Sequence, residues 1–104
     1  MSIQSTALDT TVGNIFVATG TQGNVVSVAY FCNRNGSTTT FNLYLVPNGG
    51  TASPNNVVYS NKAITSGDTY ILELEKIILS NGDMLQASAN TANAIVATVS
   101  TLGI

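Results

Sequence analysis

Short runs of alternating apolar and polar residues, separated by clusters of Asn, Gly and Pro, are the feature that most constrains how this chain can fold. The run Val25 to Cys32 is rich in β-branched and aromatic residues, and the run Thr38 to Val46 places Phe41, Leu43 and Leu45 on one side of an extended strand. This two-residue period is typical of a strand that buries one face. No window combines a 3.6-residue period with helix-capping residues, so the sequence predicts an all-β protein.

The whole chain predicts seven or eight strands. Besides the two runs above, weaker alternating segments cover residues 3–8, 14–19, 57–59, 69–75, 84–89 and 94–102. A chain of 104 residues can bury one core but not two. We therefore expect one antiparallel β-sandwich of immunoglobulin-like or jelly-roll type over residues 1–104, with residues 1–12 as a possible extended N-terminal arm.

Turn signals mark the connections between the predicted strands. The segment 33–37, between the two strongest runs, contains Asn35-Gly36. Asn-Gly favours the tight turns of β-hairpins because both residues tolerate positive φ. The sequence therefore predicts that strands 25–32 and 38–46 form a hairpin. It also predicts that the carboxylates of Asp68 and Asp83, each preceded by Gly, cap their turns, whereas the dense acidic loop of an EF-hand calcium site is missing.

The scarcity of charge excludes much chemistry. Only eight side chains are charged, and histidine and tryptophan are absent. Without histidine the chain can build neither a Ser-His-Asp triad nor an imidazole metal site. Glu73 and Glu75 share one face of a predicted strand, but glycosidase carboxylates generally come from separate elements around a sugar cleft. We interpret them as part of a solvent-facing or interface strand and predict no catalytic residue, metal or cofactor.

Nucleic acid and membrane are also disfavoured as partners. Three scattered basic residues cannot neutralise the six or so phosphates that hold a protein on a duplex. The N-terminal residues contain no basic start followed by an apolar stretch, so we expect neither a secretory signal nor a membrane anchor. Cys32 lies in an alternating apolar run and is predicted to be a buried structural thiol.

A series of motifs covers the chain from residue 28 onward. It consists of Y-F-C-N at 30–33, F-N-L-Y-L-V-P at 41–47, G-D-T-Y at 67–70, L-S-N-G-D at 79–83 and the closing run 96–104. In order and spacing this series resembles small structural proteins of tailed bacteriophages, especially marine and cyanobacterial phages. The resemblance implies a virion structural role, as a capsid decoration (cement) protein or in a tail or fibre. It implies no catalytic or ligand residue.

The expected function is therefore capsid decoration that stabilises capsomer junctions, in a virion assembled in the bacterial cytoplasm. The expected partners are further copies of the chain, with a homotrimer favoured, and the major capsid protein or other virion proteins. Neutral Thr, Asn and Ser side chains can be buried between subunits without the desolvation cost of charges. We expect contacts along the uncharged stretches 37–60 and 87–104. The predicted interface residues are Tyr44, Tyr59, Ile71, Glu73, Glu75, Val96, Leu102 and Ile104.

Two alternatives stay open at the level of sequence. One is a tail or fibre component, an adaptor or knob in which the loop 47–56, rich in Gly and Asn, contacts a host receptor. The other is a carbohydrate-binding module, because tyrosine rings can stack on sugars. The tyrosines available for stacking are Tyr30, Tyr44, Tyr59 and Tyr70.

Overall fold

Nine β-strands in two antiparallel sheets form the described part of the molecule. The computed structural model describes residues 2–72 and 77–103, and none of these residues is helical. The strands are β1 (Ser2–Ala7), β2 (Gly13–Val17), β3 (Asn24–Asn33), β4 (Thr39–Val46), β5 (Val57–Ile64), β6 (Thr69–Leu72), β7 (Ile77–Leu79), β8 (Met84–Ala89) and β9 (Ile95–Gly103). The prediction of an all-β sandwich is confirmed.

The order of the strands is that of a jelly roll. Sheet A has the order β1-β9-β3-β6, with β7 also paired to β3, and sheet B has the order β2-β8-β4-β5. β6 and β7 pair with successive parts of the same edge of β3, at residues 29–32 and 24–26. Counted as one position, they make the sixth of eight strands. Sheet A then contains the first, third, sixth and eighth strands and sheet B the second, fourth, fifth and seventh, which is the arrangement of a jelly roll.

The predicted hairpin between strands 25–32 and 38–46 is wrong. β3 lies in sheet A and β4 in sheet B. Phe31 of β3 stacks on Phe41 of β4 across the sandwich, with ring centroids 4.5 Å apart. Alternation shows that each strand has one buried face but not which strand lies beside it. Placing the two apolar faces opposite each other buries both, so the connection at 34–38 crosses between the sheets.

The core fills the space between the sheets. Its fully buried large side chains come from both layers and include Phe31, Ile95 and Val99 of sheet A, and Phe41, Leu43 and Leu85 of sheet B. β5 is longer than the predicted strand 57–59. Its pairing with β4 shifts register around Asn61, which has a positive φ of 53°, and this irregularity breaks the period-two pattern in the sequence.

A buried asparagine at the end of β3 joins three segments of the chain. Asn33 is fully buried, and its Nδ2 donates to the carbonyl oxygens of Ser37, at 3.0 Å, and Ile64, at 2.8 Å. Its Oδ1 accepts from the backbone N–H of Asn35 at 2.9 Å. The side chain therefore holds the β3–β4 crossover against the end of β5, and every polar atom of its amide has a partner.

Asn33→Asp should lower the free energy of unfolding by roughly 3 kcal/mol at pH 7, because one carboxylate oxygen would face two carbonyl oxygens without a proton to donate. The facing carbonyls would raise the pKa of the new carboxyl above its unfolded value. The deficit should therefore shrink as the pH falls, since the protonated carboxyl can donate again. Urea unfolding followed by circular dichroism at several pH values measures this. Asn33→Leu is the control and should lose stability equally at every pH.

Gly23 is a second position at which the fold accepts only one residue type, in this case glycine. It has a φ of +84°, and a Cβ there would overlap the carbonyl oxygen of Leu79. Gly23→Ala should therefore cost roughly 3 kcal/mol of unfolding free energy. Gly13→Ala is the matched control, because a Cβ at Gly13 meets nothing within 4 Å, and it should change stability by no more than about 1 kcal/mol. Equal effects in the two variants would contradict the close packing of β7 against Gly23.

Candidate assembly interface

The outward side chains of sheet A form the surface that stands out in this molecule. Residues that face each other in register share one side of a sheet, so the pairing defines rows across it. The rows are Leu102, Val25 and Ile78; Ile3, Ser100 and Val28; Ser5, Thr98, Tyr30 and Ile71; and Ala7, Val96, Cys32 and Thr69. We call these side chains the A face.

Large apolar side chains are exposed mainly on the A face. Of the seven large hydrophobic residues exposed in the described part of the chain, five lie there: Ile3 at 73%, Ile78 at 69%, Leu102 at 50%, Ile71 at 47% and Tyr30 at 40%. Val17 and Val58, the other two, belong to different strands of sheet B. Scattered exposed apolar residues are normal in soluble proteins, but a group on one sheet face marks an interaction surface.

Every A-face side chain that the structure describes is uncharged. The charged side chains that the structure describes lie in the connections between strands, at Asp9, Arg34, Asp68 and Asp83, or on the edge strand β5, at Lys62. Because no ion has to leave water, covering the A face with a neighbouring surface avoids the main cost of burying polar surface. The apolar rows can therefore contribute their transfer free energy to association.

The outward face of sheet B is different in kind. Its polar side chains bond to one another: Gln86 Nε2 donates to Asn14 Oδ1 at 2.7 Å, and Asn42 Nδ2 donates to the hydroxyl oxygen of Ser88 at 3.2 Å. Asn42 Oδ1 also accepts from the backbone N–H of Asn61 at 2.8 Å. This polar network is compatible with contact with water, whereas the A face exposes large apolar side chains.

Three of the predicted interface residues lie together on the A face. These are Ile71, Val96 and Leu102. Tyr44 lies opposite Gln86 on the outward face of sheet B, and Tyr59 packs between the two sheets. The predictions for Glu73, Glu75 and Ile104 fall outside the described residues. The role of all eight in an interface stays a prediction.

The sequence-based list missed Ile3, Tyr30 and Ile78, which are three of the five exposed large apolar residues of the A face. A signal for Tyr30 was present. It sits next to Phe31 in an alternating run, so one of these two rings must face outward. Deciding which one required the position of β3 in the sandwich.

The prediction that Cys32 is a buried thiol is wrong. Its side chain is only partly buried and lies on the A face, beside Val96 and Thr69, instead of in the core. The pairing of β3 with β9 shifts register between Val26 and Val28. Since that bulge reverses the alternation, the residues that precede it do not indicate which face Cys32 occupies.

Aromatic rings close one side of the sandwich. Tyr59 of β5 and Tyr70 of β6 meet with their hydroxyl oxygens 2.8 Å apart and their rings nearly perpendicular, at 80°. Both rings also contact Phe41 at centroid distances of 6.2 and 6.3 Å, and the ammonium of Lys62 lies 4.9 Å from the centre of the Tyr70 ring. The hydrogen bond from Tyr70, with burial, raises the pKa of Tyr59 to about 12.

The four tyrosines do not form a common platform for a sugar. Tyr30 lies on the A face and Tyr44 on the outward face of sheet B, on opposite sides of the molecule. Tyr59 and Tyr70 are bonded to each other and packed against the core. Stacking on a sugar ring would require neighbouring exposed faces.

The acidic turn residues behave as structural caps. Asp83 Oδ2 accepts from the backbone N–H of Ser80 and Oδ1 from that of Asn48, both at 2.9 Å, so its prediction is confirmed. Asp68 accepts from the adjacent N–H of Thr69 at 3.1 Å. Within residues 2–72 and 77–103, no three acidic or cysteine side chains come together as metal ligands. The same residues contain no helix able to cross a membrane.

One apolar cavity of about 230 Å³ opens between the end of β4 and β7. Leu45, Pro47 and Ile77 line it, with Asp83 as its charged wall. Both carboxylate oxygens of Asp83 already accept backbone hydrogen bonds. Each carboxylate oxygen of Asp83 therefore already has a hydrogen-bond partner, and neither is left unpaired to orient a ligand in the cavity.

Comparison with known proteins identifies no relative. No protein-family model matches the chain, and no curated protein or solved structure does either. The resemblance to phage structural proteins accordingly stays a prediction from the motifs.

The Tyr59–Tyr70 pair predicts a loss of stability in alkali. Because the pKa of Tyr59 is raised from 10.0 in the unfolded chain to about 12, its contribution is complete below pH 10 and declines as the pH rises towards 12. Tyr59→Phe should weaken this decline and cost about 1 kcal/mol at neutral pH. Urea unfolding between neutral and alkaline pH measures both effects. Tyr44→Phe is the matched control and should keep the wild-type profile, whereas an unchanged profile in Tyr59→Phe would contradict the account.

Proposed function

We propose that this chain is a structural subunit of a bacteriophage virion, acting as a capsid decoration protein that stabilises the junctions between capsomers. The observation that carries the proposal is the A face, whose described side chains are uncharged and include five exposed large apolar ones. On an isolated monomer such a surface promotes non-specific association. In a particle a neighbouring subunit covers it, and burial of the apolar rows stabilises the assembly.

The motifs at 30–33, 41–47, 67–70 and 79–83 support the assignment to a virion. The jelly roll is compatible with it, because capsid proteins use this fold, but so do lectins and other proteins. The partners in this proposal are further copies of the chain and the major capsid protein or other virion proteins. In the proposed location, the virion, the protein works by burying surface and carries out no reaction.

A tail or fibre component is the second candidate. The loop 47–56 is held in shape by its own hydrogen bonds: Asn56 Oδ1 accepts from the N–H of Ser53 at 3.0 Å, and Asn56 Nδ2 donates to the carbonyl oxygen of Thr51 at 2.9 Å. A loop with a defined shape at one end of a sandwich suits contact with a receptor. Both candidates are virion structural roles and differ in their place on the particle.

Mass spectrometry of gradient-purified particles from the phage that encodes this chain tests the proposal. We expect the chain in many copies per particle, and immunogold labelling on the head. Labelling confined to tails would select the tail candidate. Particles that lack the chain altogether would contradict both.

Deletion of the gene tests the stabilising role itself. Heads without the protein should release DNA at a lower temperature than complete heads, because the neighbouring-subunit contacts through the A face are lost. Complementation with the wild-type gene should restore the release temperature. Complementation with Thr98→Glu, which places a carboxylate in the middle of the A face, should not. Equal heat stability of particles with and without the chain would contradict a cement role.

A further inference from the structure

We infer that the A face binds the A face of a second copy, so that two sandwiches pack sheet to sheet about a two-fold axis. The inference deepens the proposed function by naming the partner on this surface. The inference rests on the proposed function only because both use the A face. The test of the inference needs the purified chain alone, so the dimer and the virion role can each be contradicted without the other.

Charge favours an identical partner. Two copies of a charged face would repel each other, whereas the A-face side chains that the structure describes are all uncharged, and the described charges lie in strand connections and on β5. A charged partner would find no group of opposite charge among these side chains. A second neutral, apolar face is therefore the complementary surface.

Two hydrogen bonds already occupy hydroxyl groups on the A face or beside it. Ser5 and Thr98, neighbours in the central row, already share a hydrogen bond of 3.1 Å between their hydroxyl oxygens. Ser27, in the bulge of β3, donates to the carbonyl oxygen of Ser100 at 3.1 Å. Contact with a second A face can leave these two hydrogen bonds in place, which limits the polar desolvation cost at these positions.

The shape of a twisted sheet suits self-association. Two stacked sheets pack with their strands about 30° apart because both carry the same right-handed twist. Two copies of sheet A have the same twist by identity, so aligned packing about 10 Å apart is available to them. A two-fold axis in the plane between the sheets relates the copies, so each A face contacts the identical surface of the other copy.

The area is enough for a specific but modest interface. Four strand positions at about 4.8 Å and seven residues at about 3.3 Å give a footprint of roughly 450 Å² per copy. The corrugated accessible surface is larger than this flat projection, so a pair buries on the order of 1,000 Å² in total, near the lower bound for specific interfaces. We therefore expect a reversible dimer with a dissociation constant in the micromolar range.

A single apolar face favours a dimer over the homotrimer predicted from the sequence. Two copies satisfy each other's A face completely. In a three-fold ring each copy presents two different patches, one to each neighbour. The exposed large apolar residues of the described chain are concentrated on one face instead of being divided between two.

Sedimentation equilibrium of the purified chain over a range of concentrations tests the inference. The wild type should rise from a mass near 10.8 kDa to twice that value. Thr98→Glu and Thr98→Lys each place like charges near the two-fold axis and should raise the dissociation constant at least 100-fold. An equimolar mixture of the two variants should form a dimer again at concentrations where each alone is monomeric.

Thr40→Glu is the matched control. Thr40 is also a half-buried, outward threonine on an inner strand, but it belongs to β4 of sheet B, and its glutamate should leave the dimer intact. Circular dichroism checks that every variant keeps its strands. A wild type that stays monomeric well above micromolar concentrations would overturn the inference. So would a trimer, or a dimer that Thr98→Glu does not weaken.

Discussion

Each sheet of this sandwich has two faces, and the contact between the sheets buries only one of them. The inner faces meet around Phe31 and Phe41, whose stacked rings at 4.5 Å join the centres of the two layers. What the molecule can contact then depends on its two outer faces. Sheet B has polar side chains on its outer face that bond to each other, and sheet A leaves large apolar side chains exposed. One core thus specifies the fold, and the outer face of sheet A is the surface that we propose a partner covers.

The distribution of charge supports this division. The described charges lie in the connections at the ends of the sandwich or on the edge strand β5, where they remain in water. Charges at these places lie off the A face, so they do not oppose contact through its described side chains. Turns are fixed by specific polar groups such as the amide of Asn33 and the carboxylate of Asp83. Polar side chains thus fix the connections between strands, and apolar side chains form the core and the exposed part of the A face.

Alternation made the strands and the sandwich predictable from the sequence, because a period of two is a local property. Which strands lie side by side in a sheet was not predictable in the same way. Asn35-Gly36 indicated a hairpin, yet β3 and β4 lie in different sheets, since the buried side chain of Asn33 directs the chain across the core. For the interface, uncharged stretches led to Val96 and Leu102 but also to Tyr44, which faces the other side. Which face of an alternating strand lies outside depends on bulges and on the neighbouring strand, and no single segment contains that information.

The central claim is that the A face is covered when the protein assembles, and the thiol of Cys32 reports on this directly because it lies within that face. The measurement is the rate at which a small alkylating reagent modifies Cys32 as the protein concentration is raised. The account predicts that modification of the wild type slows as association proceeds, while that of Thr98→Glu keeps its dilute rate. A wild-type rate that stays constant while the protein is shown to associate would contradict the claim, because the contact would then lie elsewhere on the molecule.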